Sequence, residues 1–252
     1  MAIKDFFKKY WITFVIFLAF IALYIYTTEK GIANSYLFPD VKAIKKAFVE
    51  NKGLLIVNLV SSFKLMIPAI IVSLVIALAI GTVLGLNEKL RDALHPIIYT
   101  FSVVPSILLS PFALLLSPSF FIASLFLIVY GTLWSTLFAT ITGIMTIDKR
   151  YLDKAATLEL KGFKRFFKVI LPAASPSILS GFVNSLRSTF VMLVYAEMYG
   201  ANNGMGFFVK KYAEFGLYAN TWVGFLFMVV VLVIVMQLFE MLKKYLLKWT
   251  IN

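Results

Sequence analysis

Few side chains in this sequence are equipped for chemistry. There is one histidine, His95, and no cysteine, so disulfides, thiolate ligands and cysteine nucleophiles are excluded, and no histidine cluster exists to hold a metal or run a triad. No G-x-x-x-x-G-K-[ST] occurs, so the chain has no phosphate-cradling loop of its own. Gly204-Met205-Gly206 follows no strand pattern and reads as a tight turn between helices. Asp153 and Glu197 flank an apolar run and are too far apart for paired acid–base work. The sequence therefore predicts no catalytic residue and no metal site. What it offers instead is charge inside apolar runs, at Lys64, Arg187 and Glu197. Burying such a group at mid-bilayer costs about 2.5–3.5 kcal/mol, so Arg187 and Glu197 are each expected to face a cavity or a partner. They lie about 15 Å apart along a helix and are not expected to pair. Lys64 has a stem long enough to bring its charge to the interface.

A second group of residues suits recognition rather than catalysis. Asp148 to Pro172 is the longest polar interruption between two apolar blocks, and it holds seven of the 24 Lys and Arg. It reads as two short helices, with Asp148 as N-cap of the first and Gly162 as its left-handed stop. Tyr151, Ala155 and Leu158 share one face of the first helix. Phe163, Phe166, Phe167 and Ile170 share one face of the second, with Lys164, Arg165 and Lys168 opposite. Such a loop can lie on a membrane surface and offer a knob to another protein; a basic loop obeying topology rules would look the same.

These residues must be positioned by membrane-spanning helices. Of 252 residues, 61% are hydrophobic and 14% are charged, where a soluble domain carries about 25% charged. The net charge of +12 flanks the apolar runs instead of forming one patch, which points to anionic lipid and not to nucleic acid. An uncleaved first span is expected from Tyr10 to Tyr26, behind Lys4, Lys8 and Lys9. Pro39 and Asp40 then open a short amphipathic helix, whose apolar stripe of Val41, Ile44 and Phe48 suits either the outer membrane surface or packing on the spans. The second span is expected over 56–86. Between Ala93 and Ile147 there is no Asp, Glu, Lys or Arg, a length that two spans, about 96–116 and 120–146, accommodate. Pro105 and Pro111 imply a kink or break in the third span, of the kind that can face a cavity. The fifth span is expected over 173–198 and the sixth over 221–242.

The resulting fold class is an all-α membrane protein of six spans. An N-terminal segment, 1–55, precedes a core over 56–247 that contains the 148–172 loop. Lys4, Lys8, Lys9, Lys89, Arg91, the seven loop residues, Lys243, Lys244 and Lys248 fall on one side of these spans. Fewer fall on the other, which predicts that both termini are cytoplasmic.

With Leu171-Pro172 closing the loop, the chain resembles the permease subunits of type I ABC importers, and it is similar to their nitrate/sulfonate/taurine branch. The family's loop follows the pattern E-A-A-x-x-x-G, then a basic-aromatic stretch, then L-P. Asp153, Ala155, Leu158, Leu171 and Pro172 fit it, while Lys154 and Glu159 stand where the family has Ala and Gly. Residues 171–182, Ala196-Glu197-Met198 with Gly204-Met205-Gly206, Leu37-Phe38-Pro39 and Ser61-Ser62-Phe63-Lys64 also resemble the branch. The resemblance implies a non-catalytic cell-membrane subunit that pairs with a second permease subunit, usually identical. Two cytoplasmic ATPase subunits would bind ATP and Mg, and an external binding protein would deliver a small solute, such as nitrate, a sulfonate, bicarbonate or a vitamin precursor. Tyr151, Asp153, Ala155, Ala156, Leu158, Glu159, Gly162, Leu171 and Pro172 would then form the coupling element seated on the ATPase, and Lys64, Pro105, Arg187 and Glu197 would lie along the translocation path. With Glu159 in place of Gly, the first coupling helix is expected to run about one turn longer, to Gly162. The competing readings are a self-sufficient secondary transporter or channel, for which no internal repeat is evident, and a membrane scaffold without transport activity.

Overall fold

The computed structural model describes residues 3–250, with side chains described from Lys8 to Trp249 except Lys9. The side chains of Lys4 and Lys9, placed above beside the first span, lie outside the described residues. Every regular element among the described residues is helical. The chain divides into two compact units, Met1–Ile56 with Phe208–Phe227 and Val57–Phe207 with Met228–Asn252.

In the first unit, α1 (Ile3–Glu29) carries the apolar run, with a non-helical backbone at Tyr10 where that run begins. The Leu37-Phe38-Pro39 segment is pinned by aromatic donors. Trp222 Nε1 donates to the Leu37 carbonyl at 2.9 Å, and the Tyr24 hydroxyl donates to that of Pro39 at 2.6 Å. Asp40 caps α2 (Val41–Leu86), its carboxylate accepting the Ala43 N–H at 2.6 Å. The expected separate helix after Pro39 is not what forms: residues 41–86 make one continuous helix. The junction, Asn51-Lys52-Gly53, holds a single glycine, which costs about 1 kcal/mol in a helix without breaking it. Asn51 is buried and satisfied, donating to the Ala47 carbonyl and accepting from the Tyr212 hydroxyl.

In the second unit, α3 (Glu88–Val103) starts at its Asn87 cap, earlier than the apolar pattern suggests. The chain then bends by 81° into a 3-10 turn (Ser106–Leu109) and α4 (Ser110–Leu116). Pro105 makes the break, because it forces Val104 into an extended conformation and has no N–H to continue the helix. Pro111 sits in the first turn of α4, where a missing N–H is harmless. Then follow α5 (Phe120–Met145), α6 (Lys149–Thr157), α7 (Gly162–Arg165), α8 (Leu171–Gly200), α9 (Met205–Glu214) and α10 (Tyr218–Leu246). Helix α9 occupies ten residues of the expected 199–220 loop before the last span. Among the described residues, five helices are long and apolar enough to cross a membrane, and the bent α3–α4 pair is a sixth span if it is counted as one.

Small and hydroxyl-bearing residues bring α2, α5 and α8 together. Gly81 and Gly85 of α2 lie against Thr140 and Ile144, and Gly181 of α8 lies against Ser135 and Ala139. Thr136 and Ser185 share a 2.7 Å hydrogen bond, Thr189 donates to Thr132 at 3.2 Å, and Ser177 donates to the Ala139 carbonyl at 2.8 Å. In a bilayer, where lipid competes for apolar surface, such close backbone approach and interhelical hydrogen bonding hold helices in register.

Candidate functional site: the 148–172 loop and an arginine-lined cavity

The loop starts as its sequence suggests. Asp148 caps α6, accepting the Arg150 N–H at 2.9 Å and the guanidinium at 2.5 Å. Those side-chain and backbone hydrogen bonds from Arg150 lower the Asp148 pKa from 3.8 to about 2. The helix ends sooner than expected, at Thr157. Glu159 donates its N–H to the Ala156 carbonyl and Leu160 donates to that of Ala155, both at 2.9 Å, and Glu159 itself takes a left-handed φ of 51°. This is a Schellman cap with glutamate in the glycine position. The extended helix expected from the missing glycine does not form, because the two cap hydrogen bonds close at Glu159; Gly162 instead opens the next helix.

Residues 163–170 were expected as a separate short helix, yet they form the first turns of one helical run from Gly162 to Gly200. A π turn (Phe166–Ile170) sits just before Leu171-Pro172. Pro172 has no N–H to give and its ring crowds the Lys168 carbonyl, which a widened turn relieves. Ile170 packs with Ile144, Ala174 and Ile178, anchoring the loop at the base of α5 and α8.

The predicted faces divide by burial. Ala155 is 1% exposed, turned inward, while Tyr151, Leu158 and Phe167 are exposed and Phe163 is 82% exposed. Asp153, Ala156 and Glu159 are also exposed. A groove of about 740 Å³ runs beside them, lined among others by Tyr151, Lys154, Leu158, Lys168, Pro172 and Trp249. The part played by Trp249 was not visible in sequence, since nothing local links it to residue 151.

Of the four path candidates, the structure brings two together. Pro105 and Arg187 line a cavity of about 390 Å³ with Ser102, Ser106, Trp134 and Ser188. Gly131 forms part of its wall, where a Cβ would meet Ser106 Oγ at 2.7 Å and Met192 Cγ at 2.8 Å. Arg187 has no ion pair among the described residues, and Trp134 Nε1 is shielded without an acceptor there. Lys64 is exposed and does not line this cavity.

Glu197 is elsewhere, in a buried polar knot, and is 2% exposed. Its carboxylate accepts the Gly206 N–H at 2.8 Å. Beside it Ser62 Oγ accepts from Met205 N at 2.9 Å, and Asn58 Oδ1 accepts from Gly204 N at 2.9 Å. A Cβ on Gly204 would run into the carboxylate. The Gly204-Met205-Gly206 turn is thus fastened to α2 and α8 through its backbone. Sequence reasoning missed Asn58 and Trp134, whose partners are over fifty residues away or absent.

A bundle of apolar helices, one span broken at a proline, and a basic loop folded against the ends of two others define a multi-pass permease with the fold of type I ABC importers. A chain of the MetNI methionine ABC transporter in an inward-facing conformation shares that fold at a TM-score of 0.62 and 18% identity, covering 80% of this chain and 98% of that one. Residues 73–252 match the family described as the inner membrane component of binding-protein-dependent transport systems, and the chain belongs to that family. It is similar to the putative aliphatic sulfonates transport permease protein SsuC of Bacillus subtilis, 29% identical over 69% of this chain and 63% of that protein. It is also similar to the nitrate import permease protein NrtB of Leptolyngbya laminosa, 30% identical over 52% of this chain and 47% of that protein. The matched stretches thus span less than two thirds of either relative. Relatives named for sulfonates and nitrate are among those the chain resembles, and the family match makes it an inner-membrane component.

Proposed function

We propose that the chain is the membrane subunit of an ATP-driven importer and forms the translocation path for a small solute through its core, residues 56–247. It pairs with a second permease subunit. Two cytoplasmic ATPase subunits, which bind ATP and Mg, seat the 148–172 loop, and an external binding protein delivers the solute. ATP-driven closure of the ATPases moves the loops and switches the spans between inward- and outward-facing states. Both termini are cytoplasmic on this reading. The observation that carries it is the exposed apolar set of Tyr151, Leu158, Phe163 and Phe167 on a loop rich in Lys and Arg, an arrangement that asks for a covering partner. Relatives named for sulfonates and nitrate make an anion the first solute to test.

Ala155 is buried at the floor of the groove, so the exposed contact with the ATPase falls to Tyr151, Ala156 and Leu158. The chain has no cysteine, so single cysteines at Tyr151 and Ala156 give cross-linking without background. Both are expected to form adducts with the ATPase in the assembled complex. Solute uptake into proteoliposomes that persists without the ATPase would overturn the reading in favour of a secondary transporter or channel.

A further inference from the structure

The cavity at Arg187 has a one-sided chemistry. Arginine carries five N–H donors and no acceptor, and indole carries a donor alone. Arg187 and Trp134 both line the cavity, and neither has an acceptor among the described residues. Ser188 contributes a hydroxyl, and the Ser106 hydroxyl is turned on the Met192 thioether at 2.9 Å, a weak acceptor that a stronger one would displace. No Asp or Glu lines the wall. Helices α3 and α5 hold no acidic residue after Asp92, and α8, which supplies Arg187, Ser188, Val191 and Met192, holds only Glu197, which is engaged by the Gly206 N–H. Two carbonyl oxygens near the end of α3 already carry a hydrogen bond from a side chain. Tyr99 O accepts from Ser102 Oγ at 2.7 Å, and Phe101 O accepts from the Tyr130 hydroxyl at 2.5 Å. Val103, Val104, Ile107 and Val191 make the remainder of the wall apolar. A cation inside a span with no counter-ion is costly, and a buried donor without an acceptor adds to that cost.

We infer that this cavity is an oxyanion-binding site within the spans, with the anionic head on Arg187 and the Ser106 and Ser188 hydroxyls and any short organic tail against the Val103–Ile107 wall. Its volume of about 390 Å³ is in the range of small-ligand sites. The inference deepens the importer reading by giving the permease a site of its own, so that selection does not rest on the binding protein alone. The Pro105 break shapes that site, because it turns the chain from α3 into the Ser106 turn at the cavity wall.

The test uses the full chain in nanodiscs of zwitterionic lipid, with radiolabelled butanesulfonate as probe and butyltrimethylammonium as a cation of similar shape. Equilibrium dialysis is expected to show saturable binding of the sulfonate and none of the cation. Arg187→Gln is expected to weaken binding about tenfold or more, as loss of a charge-assisted hydrogen bond does, and Ser188→Ala by about fivefold, with Arg187→Lys keeping part of the affinity. Absence of saturable sulfonate binding to the folded wild-type chain would overturn the inference. So would equal binding of the cation, or affinity unchanged in both Arg187→Gln and Ser188→Ala. Should either variant fail to fold, the other still decides. ATP-driven uptake by the assembled transporter is measured separately: uptake without any binding by the chain removes the site and leaves the importer reading standing, whereas binding with ATPase-independent uptake does the reverse.

Discussion

Glu159 invites a substitution that should strengthen the loop. Three helices end in the same double hydrogen bond, and two of them place glycine at the left-handed position: Gly31 after α1, with φ 67°, and Gly216 after α9, with φ 70°. The third, after α6, places Glu159 there at φ 51°. An L-residue in this region costs about 1–2 kcal/mol from contact between its Cβ and the following carbonyl. Glycine escapes that cost but loses about 0.5–1 kcal/mol more backbone entropy on folding. The net gain expected for Glu159→Gly is about 0.5–1 kcal/mol, a local opening constant lowered about two- to fivefold. Hydrogen exchange on the full chain in nanodiscs reads this at the Leu160 amide, bonded to the Ala155 carbonyl at 2.9 Å. Gly31→Ala is the calibrating variant. A Cβ there meets nothing within 4 Å, so only backbone strain is added, and exchange at Ile32 should accelerate by a similar factor. If Leu160 exchange were unchanged or faster in Glu159→Gly while Gly31→Ala behaved as expected, the claim of strain at Glu159 would be wrong.

Four further outcomes follow from the geometry. Because Arg150 lowers the Asp148 pKa to about 2, the cap's contribution is fully present above pH 3.8 and is lost as pH falls through about 2; a carboxyl NMR titration should place the Asp148 midpoint well below the ordinary value of 3.8. Gly181→Ala drives a Cβ into Ala139 and to 2.6 Å from the Ser135 carbonyl oxygen, so thermal unfolding should show a loss of about 1–3 kcal/mol. Glu197→Ala strands the buried Gly206 N–H, at a cost of about 1–3 kcal/mol, and should open the turn at residues 201–204 to proteolysis, while Glu197→Gln, which keeps an acceptor, should not. Ala155→Glu buries an unpaired charge and should loosen α6, seen as faster exchange along the helix; Ala156→Glu, on an exposed position, should leave α6 intact yet lower ATP-driven uptake if the ATPase docks there.

What was legible in the sequence was whatever short-range physics decides. The apolar runs, the Asp148 cap and the proline break in the third span each depend on residues within a turn or two of one another, and each appears, although α2 and α3 start earlier than the apolar pattern puts them. The misplacements share a different cause. The helix after Pro39 merges with the second span because Gly53 is a weak breaker and because buried Asn51 finds a partner in Tyr212, far along the chain. The α6 helix stops early because two backbone hydrogen bonds outweigh the cost of a left-handed glutamate, a balance that propensity alone reads the other way.

The charged residues show how much a shared label can hide. Arg187 and Glu197 both read as costly charges within one span, and the same insertion penalty applies to each. Folding separates them by what surrounds them. Glu197 is met by backbone N–H groups of the 204–206 turn and by side chains of α2, so its cost is offset internally and its effect is to fasten that turn. Arg187 is exposed to its cavity and has no ion pair among the described residues, so no carboxylate there offsets its charge. A buried carboxylate that accepts backbone N–H groups is a finished structure, whereas an unpaired guanidinium in a cavity keeps its donors for an anion. That difference, invisible in the spacing of the two residues, is why the proposed oxyanion site lies at Arg187 and not at the knot at Glu197.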